Sequence, residues 1–313
     1  MRARIKGRRN KTKLKLSLII VPLILAAILV LAFKTTSFAY KTDGRMVYGA
    51  SGNATPQARL WDQETSATGA PAGTQAANTV INWTINQAAP NRIENIAGTL
   101  TTNAGAGSNL YIQRWNGSAW SNEWNVSTAN ANFASRRSFD VAYEDTSGHA
   151  MVVYSTGTNP QYRIWDGNSW TAAANTLPAD EATNVEWIEL ASRPNSNEIA
   201  LLYAINDGTG GYTLKGIIWD GNAWGNQSAA LETNLAYASA AGDTKCFDAA
   251  YENSGDLLVA FGWNNTPNNQ LAARYVTKPA GGAWGAPTAF PTWKDEATIM
   301  QLAPEPEIGR AHV

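Results

Sequence analysis

Three clean copies of one phrase, WNGSAW at 115–120, WDGNSW at 165–170 and WDGNAW at 219–224, stand 50 and then 54 residues apart. That spacing suits a four-stranded blade, and no stretch after residue 39 sustains a 3.6-residue apolar period. Together these observations predict an all-β chain, a β-propeller of four-stranded blades, preceded by one N-terminal hydrophobic helix. Worn copies, RLWDQ at 59–63 and GGAW at 281–284, extend the repeat to both sides.

The chain opens on a cationic stretch. Arg2, Arg4, Lys6, Arg8, Arg9, Lys11, Lys13 and Lys15 all fall within the first 15 residues, and the uncharged run LSLIIVPLILAAILVLAF (16–33) follows. Eighteen uncharged residues reach the lower limit for crossing a bilayer and exceed the usual core of a signal peptide. Ser37-Phe38-Ala39 then offers small residues for cleavage after Ala39. Residues 1–39 therefore read either as a signal peptide or as a retained transmembrane helix, with residues 16–33 the contact with the membrane if uncleaved. In both cases the basic flank stays in the cytoplasm and residues 40–307 are extracytoplasmic, secreted or held at the cell surface. The net charge of the whole chain is −1, so the part beyond the basic stretch is acidic. An acidic body offers no phosphate-tracking surface, which excludes nucleic acid as a partner.

Within the body the repeats align on themselves. FDVAYEDTSGHAMVVYSTGTNPQYRIWDGNSW (139–170) matches FDAAYENSGDLLVAFGWNNTPNNQLAARY (247–275), and WIELASRPNSNEIALLY (187–203) with GYTLKGIIWDGNAW (211–224) fills the same order between them. Each unit reads strand, polar turn, strand, looser loop, strand, tight turn, strand. Runs rich in Val, Ile, Leu, Tyr and Phe alternate with Asp/Ser/Gly or Pro/Asn/Ser clusters, which is turn chemistry. Asn116-Gly117, Asp166-Gly167 and Asp220-Gly221 are expected to form type I′ turns joining the third and fourth strands. Another unit occupies 79–120. RMVYGASGNATPQARLWD (45–62) lines up with AMVVYSTGTNPQYRIWD (150–166) but lacks a strand in front. DEATIMQLAPEPE (295–307) resembles the first strand of the unit at 180–195, with nothing behind it. Four whole units flanked by two partial ones would close a five-bladed ring if the halves met, hiding the sheet edges. The final IGRAHV (308–313) reads as a translated sequencing adapter, so the propeller is expected to be truncated, and its natural continuation could supply further blades and a ring of six, seven or eight.

The candidate residues divide by type. In FDVAYE and FDAAYE the two-residue alternation of a strand sets Asp140 and Glu144 on one side, and Asp248 and Glu252 likewise; Glu186 and Glu189 join from the unit between. On innermost strands this acidic side is expected to line a central channel or its rim, facing a cation, the hydroxyls of a glycan, or only water. No D-x-D-x-D-G loop supports calcium, and neither a metal nor a cofactor is expected. Trp61, Trp115, Trp165 and Trp219, with Trp120, Trp170, Trp224 and Trp284, recur at fixed places and read as blade packing. Trp124, Trp263 and Trp293 lie outside those places and are the candidates for a binding face. The single cysteine, Cys246, excludes internal disulfides and reads as a packed thiol. His149, in a Gly-His turn with no ligand spacing around it, reads as a solvated turn residue.

These repeats resemble those of exported bacterial β-propeller proteins of the broad kelch and sialidase-like type, over about residues 44–306. The sialidase box S-x-D-x-G-x-x-W separates Asp from Gly, whereas the two are adjacent in WDGNSW; the Gly-Gly pair of kelch repeats is absent too. No Arg triad with a Tyr/Glu pair can be assigned, and the paired acids Asp140 and Glu144 recur in a sister unit, whereas a catalytic centre is singular. No catalytic residue is singled out. The first reading is a non-enzymatic exported propeller that recognises an extracellular glycan or protein through several equivalent pockets. The alternatives are a sialidase-like glycoside hydrolase or lyase with its decisive residues in a further C-terminal part, and a structural spacer of a larger surface protein.

Overall fold

The computed structural model describes residues 44–50, 53–62, 67–68, 72–73, 80–102, 108–128, 136–156, 159–178, 185–206, 211–236, 245–265, 270–290, 297 and 299–303. The chain divides into two units, residues 1–44 with 61–68 and residues 45–60 with 69–313. Within the first, Trp61 pairs with Thr68 and Asp62 with Ala67. The second holds every strand from residue 80 onward.

The described residues form β-strands and no helix, in five sheets. β1 (Gly44–Ala50), β2 (Asn53–Asp62), β3 (Ala67–Thr68) and β4 (Ala72–Gly73) make the first. The second sheet is β5 (Val80–Ala88), β6 (Asn95–Thr102), β7 (Ser108–Trp115) and β8 (Trp120–Thr128); the third is β9 (Phe139–Tyr143), β10 (Ala150–Tyr154), β11 (Gln161–Trp165) and β12 (Asn175–Thr176). The fourth is β13 (Val185–Ser192), β14 (Ile199–Asn206), β15 (Tyr212–Trp219) and β16 (Trp224–Gly225), and the fifth β17 (Phe247–Tyr251), β18 (Leu257–Asn265), β19 (Gln270–Lys278) and β20 (Thr288–Ala289). The last four sheets are antiparallel meanders in chain order, the blades of a β-propeller that the repeated phrase predicts.

The second, third and fourth sheets are apolar on both faces because each is packed between two others. Along β10, Val152 enters the core shared with the second sheet, with Ile96, Ile112 and Phe139, while Met151 and Val153 enter the core shared with the fourth, with Leu201 and Tyr203. A two-residue period thus feeds two interfaces rather than one core and one wet face. Close approach is needed in places: a Cβ at Gly98 would lie 2.5 Å from the Phe139 ring of the next blade. Trp187, Leu202, Phe247 and Phe261 fill the junction of the fourth and fifth sheets. Cys246 is buried beside them, and burial pushes its thiol up to about 12.

Two expectations are corrected. The third-to-fourth-strand turns are not type I′. Among the described residues only Asn195 and Asn226 take positive φ without being glycine, so Asn116, Asp166 and Asp220 keep ordinary backbone while Gly117, Gly167 and Gly221 turn at +101°, +96° and +98°. The loop spans four residues, closed by Asp166 N donating to Ser169 O at 3.1 Å, with Oδ1 of Asp166 accepting from the amides of Asn168 and Ser169 at 2.8 and 2.7 Å. The carboxylate satisfies two amides while its own residue keeps a negative φ, leaving only the glycine in the left-handed region. The expected transmembrane helix is also corrected: among the described residues no helix is long and apolar enough to cross a membrane. Residues 16–33, the cleavage after Ala39 and the IGRAHV tail lie outside the described residues.

Candidate functional site

The acids singled out from the sequence sit at blade junctions. Asp140 is buried; its Oδ2 accepts from the backbone amide of Leu190 on the next blade at 2.8 Å, and its Oδ1 from Val141 N at 2.8 Å and Arg137 at 3.2 Å. Asp248 repeats the arrangement, with Leu302 N at 2.6 Å and Lys245 Nζ at 2.9 Å. The amides of Ile188 and Met300 complete the pattern by donating to the carbonyls of Arg137 and Lys245, both at 3.1 Å. Asp140 therefore ties β9 to β13 of the next sheet, and Asp248 ties β17 to the segment 299–303.

A second set of carboxylates works at the first turns of the second, third and fourth sheets. Glu144, 2% exposed, accepts from Trp219 Nε1 at 2.6 Å. Glu94 accepts from Trp165 Nε1 at 3.0 Å and from the Tyr143 hydroxyl at 3.2 Å, and Glu198 from the Tyr251 hydroxyl at 2.9 Å. Burial, then the nearby Glu94 and Glu198, raise the phenols of Tyr143 and Tyr251. Glu186 is buried with Oε1 held by Arg136 and by Asn206 at 3.1 Å, while Oε2 has no partner among the described residues. Glu252 is exposed at a turn, 3.4 Å from Ser254.

Between the two Asp sites lies an acid noted in the sequence as a neighbour of Glu186. Glu189, on β13, receives Arg137 from one blade and Lys245, at 2.8 Å, from the other, both on Oε2. Burial and then Asp140, acting against Arg137 and Lys245, push its carboxyl up to about 7. Three acids and two cations alternate here, so a proton on Glu189 would bring the group to neutrality.

The third-to-fourth-strand hairpins carry the aromatic residues. Trp115–Trp120, Trp165–Trp170 and Trp219–Trp224 pair across each turn with ring centroids 6.0, 5.6 and 5.5 Å apart. Trp124 is half-buried between Tyr154 at 5.7 Å and Trp170 at 5.4 Å. Trp263 is half-buried with the Arg274 guanidinium 3.3 Å from its ring centroid, and Arg274 is paired to Glu232 at 2.9 Å. Trp293 lies outside the described residues.

One polar group at these hairpins was missed from sequence. Arg114 on β7 and Glu123, the unpaired residue at a bulge of β8, are 3.1 Å apart, and Glu123 Oε2 accepts from Trp170 Nε1 of the next blade at 3.0 Å. The Arg114 guanidinium also lies 4.5 Å from the Trp165 ring centroid. The signal was the departure from the repeat: Arg114 and Glu123 stand where the fourth sheet has Ile218 and Gln227.

No protein-family model matches this sequence, and no curated protein matches it. Solved structures of similar fold include a mutant of AofleA from Arthrobotrys oligospora, at 12% identity and a TM-score of 0.45 over 81% of this chain and 73% of that one. The Aleuria aurantia lectin, a six-bladed β-propeller with a fucose recognition mode, is similar at 15% identity and a TM-score of 0.40, covering 84% and 85%. The catalytic domain of the Coprinopsis cinerea GH62 alpha-L-arabinofuranosidase is similar at 14% identity and a TM-score of 0.37, covering 68% and 69%. A lectin and a glycoside hydrolase thus stand side by side, and the likeness does not choose between binding and cleavage.

Proposed function

We propose that this chain is an exported propeller that recognises carbohydrate at its blade junctions. The observation behind the reading is the Arg114–Glu123–Trp170 group. Two blades bring a guanidinium, a carboxylate and an indole N–H together, with the Trp165 and Trp170 rings alongside. An aromatic surface beside fixed polar groups matches a sugar, whose ring carbons need an apolar face and whose hydroxyls need donors and acceptors. Export rests on the basic start, the apolar run 16–33 and Ser37-Phe38-Ala39. Kinship with kelch- and sialidase-like propellers belongs to this proposal at the level of the blade. The test is titration with a panel of neutral and acidic oligosaccharides, read by tryptophan fluorescence. Saturable quenching that weakens about tenfold in Glu123→Ala supports the reading; no saturable response to any of the panel sinks it.

A second reading, glycoside hydrolysis, is favoured by Glu189. A carboxyl pushed up to about 7, with Asp140 and Asp248 close by, has the protonation a general acid needs. Release of reducing ends from the same panel, abolished in Glu189→Gln, would make this the leading reading. Binding without release leaves recognition in place.

A further inference from the structure

Residues 299–303 hold a strand position without a sheet. Met300 N donates to the Lys245 carbonyl at 3.1 Å and Leu302 N to Asp248 Oδ2 at 2.6 Å; in β13, Ile188 N donates to the Arg137 carbonyl at 3.1 Å and Leu190 N to Asp140 Oδ2 at 2.8 Å. MQLAPE (300–305) aligns with IELASR (188–193) on those contacts. The segment therefore docks on β17 as the first strand of the fourth sheet docks on β9. With the amides of Met300 and Leu302 spent on the fifth sheet, alternation turns the backbone groups of Gln301 and Ala303 to the other edge. In β13 that edge pairs with β14; here Gln301 and Ala303 are exposed, Ile299 is 72% exposed, and the segment pairs with no strand among the described residues.

β1 has the opposite deficit. RMVY (45–48) aligns with MVVY (151–154), and the Tyr48 hydroxyl accepts from Arg59 Nε at 3.2 Å as Tyr154 meets Arg163, so β1 holds the second-strand place of its sheet. β10 and β14 pair on both edges, whereas β1 pairs only with β2 among the described residues. Its position is fixed on the second sheet: Asn86 Nδ2 donates to the Arg45 carbonyl at 2.9 Å, the Arg45 guanidinium lies 3.9 Å from the Trp115 ring centroid, and Val47 packs with Ala97 and Trp120. Met46 alternates to the other face and is 58% exposed, whereas Val152 and Leu201, at its place, are 0% exposed in the cores shared with the preceding sheets. The fifth sheet is short of the matching neighbour. Leu258, at the place of buried Met151, is only half-buried.

An open strand edge invites another strand, and an exposed apolar side chain beside it favours the same event. The row of first strands is curled: β5, β9, β13 and β17 are neighbours in turn, and Trp83 of β5 reaches Trp187 of β13 edge-on with ring centroids 5.4 Å apart. We propose that residues 299–303 supply the missing first strand of the first sheet, antiparallel to β1 of the same chain, with Leu302 opposite Met46 and Gln301 opposite Val47. The register is that of Leu190 opposite Leu201 and Glu189 opposite Leu202. Gln301 and Val47 then exchange both backbone hydrogen bonds, Met46 is covered by the fifth sheet, and neither end of the row keeps a free edge. Both segments lie in the second unit. The pairing involves no ligand and is independent of the carbohydrate reading.

The test is a disulfide across the pairing in the full chain. Leu302 and Met46 would form a pair without mutual hydrogen bonds, whose Cα atoms stand about 4.5 Å apart, within disulfide reach. Under mild oxidation Met46→Cys with Leu302→Cys is expected to lose its two added thiols at least about tenfold faster than Met46→Cys with Gln301→Cys, whose residue 301 side chain points to the opposite face. Thiol titration and mass spectrometry of the linked peptides read the bond, and buried Cys246, with its raised thiol, stays out of the reaction. A second measurement leaves β1 unaltered: Gln301→Pro removes the one ladder amide while keeping those of Met300 and Leu302, and amides 45–50 are expected to exchange hydrogen at least about tenfold faster than in the parent. Equal oxidation of the two cysteine pairs, or exchange at 45–50 unchanged by Gln301→Pro, would overturn the pairing. A disulfide that joins two chains would overturn it as well and give the edge to a second copy.

Discussion

The first-strand junctions and the hairpins between third and fourth strands use the same kinds of side chain to opposite ends. At the junctions acids recur from blade to blade and are consumed: Asp140 and Asp248 each take a backbone amide of the following segment and a cation three residues earlier. At the hairpins the phrase recurs while its polar neighbours change from sheet to sheet: Arg163, matched by Arg59 of the first sheet, stands where the second and fourth have Gln113 and Ile217. Repetition marks what assembles the propeller. Departure from it marks what the blades can be built without, and that is where ligand contacts are to be sought.

The largest test of this contrast is Asp140→Ala. It strands the Leu190 amide and leaves Arg137 with one acid fewer in a buried setting, which costs about 3 kcal/mol or more. Urea unfolding measures it, and Ser118→Ala in an exposed hairpin is the comparison, expected within about 0.5 kcal/mol of the parent as for a surface position. A mild Asp140→Ala would place the strength of the junction elsewhere.

Next in size is the pH dependence of the Arg137–Glu189–Lys245 group. The Glu189 carboxyl is pushed up from its ordinary 4.5 to about 7, chiefly by burial and by Asp140, with Asp248 adding to the rise and Arg137 and Lys245 opposing it. A carboxyl raised in the folded state holds its proton more tightly there than in the unfolded chain. Its contribution to stability is therefore full below about pH 4.5 and declines as pH rises toward 7, then levels. Glu189→Gln should remove that slope from the unfolding free energy between those limits; a slope unchanged in the variant assigns it to another group.

Close packing between blades gives an effect of intermediate size. Gly98→Ala drives a methyl to 2.5 Å from the Phe139 ring, and overpacking of this kind costs about 1–3 kcal/mol. A thermal midpoint equal to the parent's would show that the second and third sheets yield at this contact.

The blades were legible in the sequence because strand alternation and turn chemistry are local. Phe139–Tyr143 and Phe247–Tyr251 are strands as FDVAY and FDAAY imply, and the Trp pairs close each hairpin. The environment of the acids was not legible. Alternation places Asp140 on the side opposite Val141, but whether that side meets water or a neighbour's amide depends on how the next first strand docks, which is long-range. Glu94 and Glu198 escaped notice for a related reason: in the third sheet their place is taken by His149, and the acid comes instead from Glu144 across the turn. Arg59 and Arg163 were visible in the aligned phrase, yet only the structure shows that Arg163 lacks an acid among the described residues and that Ile217 fills the same place.

The smallest predicted effect concerns the hairpin turn, and the chain carries its own control. Asp166 and Asp220 accept two backbone amides each, which holds their carboxyls below the ordinary 3.8. Asn116 accepts the same two amides through its side-chain oxygen, at 3.0 and 2.9 Å, without a charge. Acceptance, not charge, is therefore what the turn requires at neutral pH. Asp166→Asn is expected to be nearly silent there, and Asp166→Ala to cost about 0.5–1 kcal/mol in unfolding free energy through the lost amide contacts. A depressed carboxyl contributes stability above its unfolded pKa and loses it as pH falls, so the difference between the parent and Asp166→Asn should shift below about pH 4 in favour of the Asn variant. If Asp166→Ala matched Asp166→Asn at every pH, Gly167 alone would hold the turn, and the hairpin would need nothing from the residue before it.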